Sequence, residues 1–222
     1  MANETTIYEQ RHVTLRTGGL AAYVAYCKEQ VGPELNRQGA KVVCLLNGFI
    51  GQPQEEVMQI TRFPDWDTWN GYQQSQIPGD SGLVEKEEAR LLKAVASRPK
   101  DQIPPEDRRA VYGYRRYFIR PGDIADFAHY GENGVWPRIE SQGACILGLW
   151  TTLAVTDPLE VILVTGYHGP GHWEETRVTG PKPEDVDSGL WQGDLELRAR
   201  REAMTLKTWV CLMQAIEVAP NG

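Results

Sequence analysis

Residues 33–45 read PELNRQGAKVVCL, and residues 137–149 read PRIESQGACILGL, 104 positions later. The match extends on both sides: residues 8–69 align with residues 112–173 without a gap and share sixteen identities. Ordinary composition gives about four identities by chance over such a length. A match at one fixed offset indicates that the chain contains the same fold twice. We therefore predict two repeats, residues 1–104 and residues 105–222.

Both copies show the same order of predicted elements. In the first copy a strand over residues 7–15 leads through Gly18-Gly19 into a helix that ends near Gly39. Strands over 41–50 and 55–63 follow, and Asp65 or Asp67 can cap a second helix. No closing strand is evident in the first copy. In the second copy the pattern predicts strands over 111–119, 144–153, 159–167 and 208–218, and helices over 122–141, from Trp173 onward and over about 190–204.

This β-α-β-β-α-β order is the ferredoxin-like arrangement, in which two helices cover one face of an antiparallel sheet. The other face of the sheet needs a partner. Two copies on one chain can cover each other by packing sheet to sheet. We therefore expect an α+β fold, in which two tandem ferredoxin-like repeats form a pseudo-twofold barrel with helices outside.

Composition restricts the classes of partner. The net charge is −7, and no run of Lys and Arg offers a surface for phosphates, which argues against nucleic acid. No apolar stretch approaches the 18 residues of a membrane span, and the first residues lack the pattern of a secretory signal. The four cysteines stand singly within apolar stretches, as buried thiols do. We expect a cytoplasmic protein, and a tandem barrel can still pair as a homodimer.

Two segments carry a resemblance to a known family. The strand IYEQR at residues 7–11 leads to LRTG at 15–18, and EVMQITRF occupies residues 56–63. These segments resemble the NIPSNAP family of the dimeric α+β barrel superfamily, present here in tandem. The second copy departs from the pattern, since Gly113 replaces Glu and Gly166 replaces Arg. The resemblance implies a pocket between sheet and helices for a small, planar, apolar molecule, and unequal function of the two halves.

The first strand of each copy has one face that we expect to meet the helices. In the first copy Glu9 and Arg11 share this face, so Arg11 has an acidic neighbour. In the second copy Arg115 has only Gly113 there, with Tyr117 beyond it. Because a buried Arg needs an anion, Arg115 is a candidate for binding a ligand's carboxylate, enolate or phenolate oxygen. Alternatively, Arg115 pairs with Glu132, Glu140, Glu160 or another acid, or reaches solvent.

Aromatic residues at matched positions supply further candidates. Tyr26 and Tyr130 lie at the edge of the apolar stripe of the first helix of each copy, where they line the pocket or simply pack. With Glu9 and Arg11, Tyr26 is a candidate for substrate binding in the first half. The candidate walls in the second half are Trp136, Trp150 and Trp173.

Histidines raise the question of a cofactor. Residues 167–175, YHGPGHWEE, contain His168 and His172, but Gly-Pro-Gly prevents one helix face from presenting both, so we predict no metal. Haem is an alternative, with His129 or His172 as axial ligand.

Together these features predict an enzyme that acts on an apolar, conjugated small molecule without a bound organic cofactor. Proton transfer, rearrangement or cyclisation, and oxygenation all stay open as its reaction. Arg115 would stabilise an oxyanion, His129 or His172 would move a proton, and Tyr117 or Tyr130 would orient the substrate. The alternatives are a haem-dependent enzyme and a non-catalytic ligand-binding or scaffold protein.

Overall fold

The computed structural model describes residues 6–75 and 82–216. By backbone proximity these residues divide into two compact units, residues 6–75, 82–93 and 213–216, and residues 94–212. The eight strands of the described residues form one four-stranded sheet in each unit. The fold is α+β, as the sequence predicts. Spatial compactness does not test where one ancestral copy ended, so repeats over 1–104 and 105–222 stay a prediction.

The first unit is a ferredoxin-like sheet with the strand order β4-β1-β3-β2. Strands β1 and β3 run antiparallel, with Ile7 opposite Phe63. The helix-side core contains Val13, Leu15 and Tyr23. The elements in chain order are β1 (Ile7–Leu15), α1 (Leu20–Tyr26), α2 (Gly32–Arg37), β2 (Lys41–Ile50), β3 (Glu56–Phe63), α3 (Trp66–Gln73) and β4 (Val84–Ala94).

Strand β4 is the closing strand that the sequence did not reveal. Its sequence, VEKEEARLLKA, carries charged side chains at consecutive positions, and most of them are exposed. A strand without one apolar face shows no period of two residues. Backbone pairing with β1 defines this strand, with Leu91 opposite Glu9.

The second unit repeats the arrangement, with the strand order β8-β5-β7-β6. Strands β5 and β7 pair with Val111 opposite Tyr167, and the core on their helix side includes Phe127 and Trp136. The predicted end of the last strand at Val218 lies outside the described residues. The elements in chain order are β5 (Val111–Ile119), α4 (Ile124–Tyr130), α5 (Trp136–Ser141), β6 (Cys145–Thr152), β7 (Leu159–Tyr167), α6 (Pro170–Glu175), α7 (Ser188–Ala203) and β8 (Lys207–Ala215).

The long first helix of each copy is interrupted, which the apolar period does not predict. A π-helical turn, Cys27–Val31 in one copy and Gly131–Val135 in the other, separates two short α-helices. In each copy a proline follows within the first two positions of the next helix, where its missing N–H costs little. The helices end at Gly39 and Gly143 with φ of 80° and 91°, a conformation that glycine adopts without strain.

Helix α7 is held against the second unit by a buried ionic network. Arg138 and Asp194 are both fully buried, and the Nε of Arg138 donates a short hydrogen bond to Asp194. Arg138 also donates to the Gln142 side chain and, at 2.6 Å, to the carbonyl of Thr176. Arg198 donates to both oxygens of Asp194 at 3.1 and 2.9 Å. Burial lowers the pKa of Arg138 although Asp194 opposes that shift.

Among the helices of the described residues, none has the length and apolar character that a membrane crossing requires.

Replacement of Asp194 by Asn should strongly destabilise the protein. The change leaves the charge of Arg138 buried without an anion, which costs about 3 kcal/mol of unfolding free energy. Urea unfolding followed by circular dichroism measures this loss. Glu196→Gln, an exposed change on the same helix, should stay within about 0.5 kcal/mol of the wild type. Equal stability of the Asp194 variant and this control would contradict the role given to the network.

Candidate functional site

The second unit contains a cavity of about 510 Å³ beneath helix α7. Strands β5, β7 and β8 form its floor, and α5, α6, α7 and residues 176–179 form its walls. Both polar and apolar side chains line it. The lining residues are Gly113, Arg115, Tyr117, Val135, Ile139, Leu163, Thr165, Tyr167, Trp173, Thr176, Arg177, Val178, Thr179, Arg198, Arg201, Glu202, Thr205, Thr208 and Val210.

Arg115 lies half-buried on the cavity floor, and no carboxylate of the described residues pairs with it. The three acids that the sequence offered as partners are used elsewhere. Glu160 pairs with Arg116. Glu132 accepts from the backbone N–H of Ser97 at 2.6 Å, and Glu140 accepts from that of Ile146 at 3.3 Å. The nearest ring is that of Tyr117, whose centroid is 5.8 Å from the Arg115 guanidinium carbon.

The matching place in the first unit is closed by an internal acid. Glu9 is 4% exposed and accepts from Arg11 Nη2 at 2.6 Å. Its other oxygen accepts from Trp69 Nε1 at 2.8 Å and Gln73 Nε2 at 2.9 Å. Burial acts to lower the pKa of Arg11, but Glu9 and then Glu87 outweigh it, so this pKa is raised. Arg11 and Glu9 therefore satisfy each other and need no ligand.

Gly113 keeps the corresponding place open in the second unit. A Cβ atom there would lie 3.2 Å from Cε2 of Tyr167, a close but adjustable contact. The Tyr167 side chain is buried, which raises the pKa of its hydroxyl while the charge of Arg115 opposes the shift. The hydroxyl is therefore a donor and not a base at neutral pH.

Helix α7 supplies cavity-lining side chains that sequence reasoning missed. Arg198, Arg201 and Glu202 all line the cavity. Arg198 pairs with Asp194, whereas Arg201 has no carboxylate partner among the described residues. The sequence signal was the RARRE segment at 198–202, where two Arg residues three positions apart share a helix face that carries no apolar stripe.

The histidines and Tyr130 do not line this cavity. His129 is exposed and contacts Asn133 at 3.0 Å. His172 contacts the carbonyl of Gln142 at 2.8 Å and accepts from the backbone N–H of His168. Tyr130 lies under the guanidinium of Arg200, 5.9 Å away. Because one ring nitrogen of His172 accepts and the other faces a carbonyl, this residue fixes the α6 turn and is not placed for proton transfer in the cavity.

Of the candidate wall residues, only Trp173 lines the cavity, with the guanidinium of Arg177 5.2 Å from its ring. Trp136 is buried in the helix-side core. Trp150 is fully buried, and its ring lies over Gly148, where a Cβ would come within 2.2 Å. Tyr26, in the first unit, packs on that unit's core beside Tyr23.

The cavity does not fit haem through the predicted ligands. None of its described lining residues is His, Cys or Met, the common axial ligands. Its two tyrosines, Tyr117 and Tyr167, stand beside Arg115 on the floor. We therefore derive no step through haem.

No group of three His, Cys, Asp or Glu side chains converges within residues 6–75 and 82–216. His168 and His172 do stack, with ring centroids 4.9 Å apart.

No protein-family model and no curated protein matches the sequence. Solved structures do match nearly the whole chain. A candidate monooxygenase from Lactobacillus acidophilus matches with a TM-score of 0.68 at 15% identity, covering 99% of this chain and 98% of its own. A candidate monooxygenase from Fusobacterium nucleatum has a TM-score of 0.60 at 12% identity, covering 98% and 95%. An anthrone oxidase-like protein has a TM-score of 0.58 at 9% identity, covering 97% and 93%. At such identities the likeness shows the fold alone: this chain shares an α+β barrel fold with these proteins.

Proposed function

We propose that this protein oxidises a conjugated small molecule with molecular oxygen, without a bound organic cofactor, in the cavity of its second half. The observation that carries the proposal is Arg115, which lines the cavity without a carboxylate partner among the described residues. The descriptions of the structural matches as monooxygenases and as an anthrone oxidase-like protein support oxygen chemistry by analogy.

Arg115 would act by stabilising negative charge. When a C–H bond next to a conjugated carbonyl loses its proton, the charge moves to the carbonyl oxygen. A guanidinium in a cavity stabilises that oxyanion far better than water does. The carbanion form can then react with oxygen. For a CH₂ group, one oxygen atom becomes the new carbonyl and the other leaves as water, so that CH₂ + O₂ gives C=O + H₂O.

Other cavity residues would complete the reaction. Glu202 is the only carboxylate among the described lining residues and is the candidate to accept the proton. Tyr117, whose ring is held edge-on against Phe127 at 5.0 Å, would orient the planar substrate. These roles replace those that the sequence gave to His129, His172 and Tyr130.

We also propose that the chain is related to the NIPSNAP family. The strand motifs of the first copy support this relationship. The setting we propose is the cytoplasm, which is consistent with the four cysteines being free and buried.

Removal of the charge of Arg115 should abolish most of the activity. The test reaction is oxygen uptake with anthrone, with one O₂ consumed for each anthraquinone formed. Because an oxyanion stabiliser acts mainly on the chemical step, Arg115→Met should lower kcat about 100-fold or more with little change in KM. Arg115→Lys should retain part of the activity.

Arg200→Met removes the same charge from an exposed position outside the cavity and should leave kcat unchanged. The uncatalysed oxidation of anthrone must be subtracted. Full activity of folded Arg115→Met would exclude the assigned role. Tight binding of conjugated ketones without any oxygen uptake would favour the non-catalytic binding protein, and a Soret band after addition of hemin would favour haem.

An acid placed at Gly113 should recreate the closed arrangement of the first half. Gly113→Glu gives Arg115 an internal anion, as Glu9 does for Arg11, and should block activity. Pairing would lower the pKa of the new carboxyl below the usual value of about 4.3, so the gain in stability is present above that pH and is lost as the pH falls below it. Against Gly113→Gln, we expect an advantage of about 1–3 kcal/mol at pH 7 that disappears near pH 2. Equal urea stability of the two variants at pH 7 would contradict the pairing.

A further inference from the structure

Arg201 is a buried cation that faces the cavity. Arg201 is 5% exposed and lines the cavity beneath α7. Its Nε and Nη2 atoms are buried and have no hydrogen-bond acceptor in residues 6–75 or 82–216. A buried charged group without a partner is costly. Proteins keep such groups where a ligand completes the arrangement.

The two unpartnered atoms lie on the same edge of the guanidinium. Nε–H and the neighbouring Nη2–H point in parallel and match the two oxygens of one carboxylate. Two aromatic rings contact the guanidinium group. Its central carbon is 4.4 Å from the ring centroid of Phe127 and 4.6 Å from that of Tyr117. Both rings lie against the guanidinium, and its buried Nε–Nη2 edge has no hydrogen-bond acceptor among the described residues.

The charges around the cavity favour an anion. Among the described residues four Arg line it, against one carboxylate, that of Glu202. Asp194 pairs with Arg198 as well as with Arg138, and Glu174 pairs with Arg177 at 3.4 Å. Arg115 and Arg201 have no ion-pair partner in this part of the chain, and both stand beside Tyr117. Burial lowers the pKa of Arg201; Tyr117 opposes this shift, and the charges of Arg198 and Arg115 add to it.

One part of the wall is apolar. Val135, Ile139 and Leu163 line the cavity, together with Trp173 and Val210. A small inorganic anion would leave this surface uncovered. An occupant that satisfies both parts of the cavity is a flat aromatic body that carries one anionic group.

We propose that Arg201 binds a carboxylate of the ligand side-on, so that the protein acts on planar aromatic carboxylic acids. The proposal rests on the proposed function in taking this ligand to be the substrate. Arg115 is then left for the oxyanion that forms at the reacting end, and Arg201 determines specificity at the other end.

The test compares matched probes on the full chain by calorimetry. The probes are 2-naphthoate and 2-naphthamide, which have the same shape and differ in charge, with benzoate and benzamide as smaller probes. A charge-assisted bidentate pair should make the wild type prefer each acid by about 10- to 100-fold. Arg201→Met should lose this preference, Arg201→Lys should keep part of it, and the exposed control Arg200→Met should keep all of it.

The thermal stability of the free protein separates ligand binding from a purely structural role. If Arg201 is held ready for a ligand, Arg201→Met removes an uncompensated buried charge and should raise Tm by roughly 2–6 °C while abolishing the preference for acids. If Arg201 only packs against the rings, Tm should fall. A fall in Tm, equal affinity for acid and amide in the wild type, or an unchanged preference in Arg201→Met would each overturn the proposal.

These outcomes are distinguishable from a failure of the proposed function. Binding of 2-naphthoate needs no turnover. If the preference for the acid depends on Arg201 but no anthrone is oxidised, the result supports the carboxylate site and contradicts the proposed reaction. Conversely, if anthrone is oxidised with equal kcat/KM for its 2-carboxylic acid and its 2-carboxamide, the result supports the reaction and contradicts the carboxylate site.

Discussion

The energetic cost of leaving a partly buried guanidinium without an anion distinguishes the two copies of this fold. Both copies place an Arg at the same position of their first strand, on the face that meets the helices. In the first copy Glu9 lies two residues away and also accepts from Trp69 and Gln73, so charge and hydrogen bonds are satisfied within the chain. In the second copy glycine replaces the acid, and a cavity stands where the internal partner would be. The two copies therefore differ in whether the chain itself supplies the anion for this Arg.

The same cost explains the construction of helix α7. The buried pair of Arg138 and Asp194, with Arg198 as a second donor, fixes the helix to α5. The close approach also depends on Gly134, where a Cβ would lie 2.6 Å from that of Leu197. Arg201 of the same helix is buried against the rings of Phe127 and Tyr117. The proposed ligand would supply the anion that this buried charge lacks among the described residues.

Several features of the fold and of the site could be read in advance. The strands over residues 7–15, 41–50, 111–119 and 159–167 have the predicted bounds, because their alternating or continuous apolar patterns have few other solutions. Asp65 caps α3 by accepting from the N–H of Thr68 at 2.8 Å, as its position suggests. The offset of 104 residues also predicted that Arg11 has an acidic neighbour and Arg115 has none. In a duplicated fold the two Arg residues occupy equivalent positions, so their neighbours can be compared directly. Strand β4 and the π-helical turns could not be read, because neither carries an apolar period of its own.

The sequence by itself determined that there are two copies, how their strands run and that Arg115 lacks the acid that Arg11 has. These properties depend on neighbours a few residues away or on the fixed offset, so local pattern is sufficient. Only the tertiary structure decided which distant residues face the cavity: it placed Arg201 and Glu202 of α7 over the floor, and it left His129, His172 and Tyr130 outside. The physical reason is that a side chain's direction on a helix is set by what the whole helix packs against. For α7 that is decided by a buried ion pair between residues 56 positions apart.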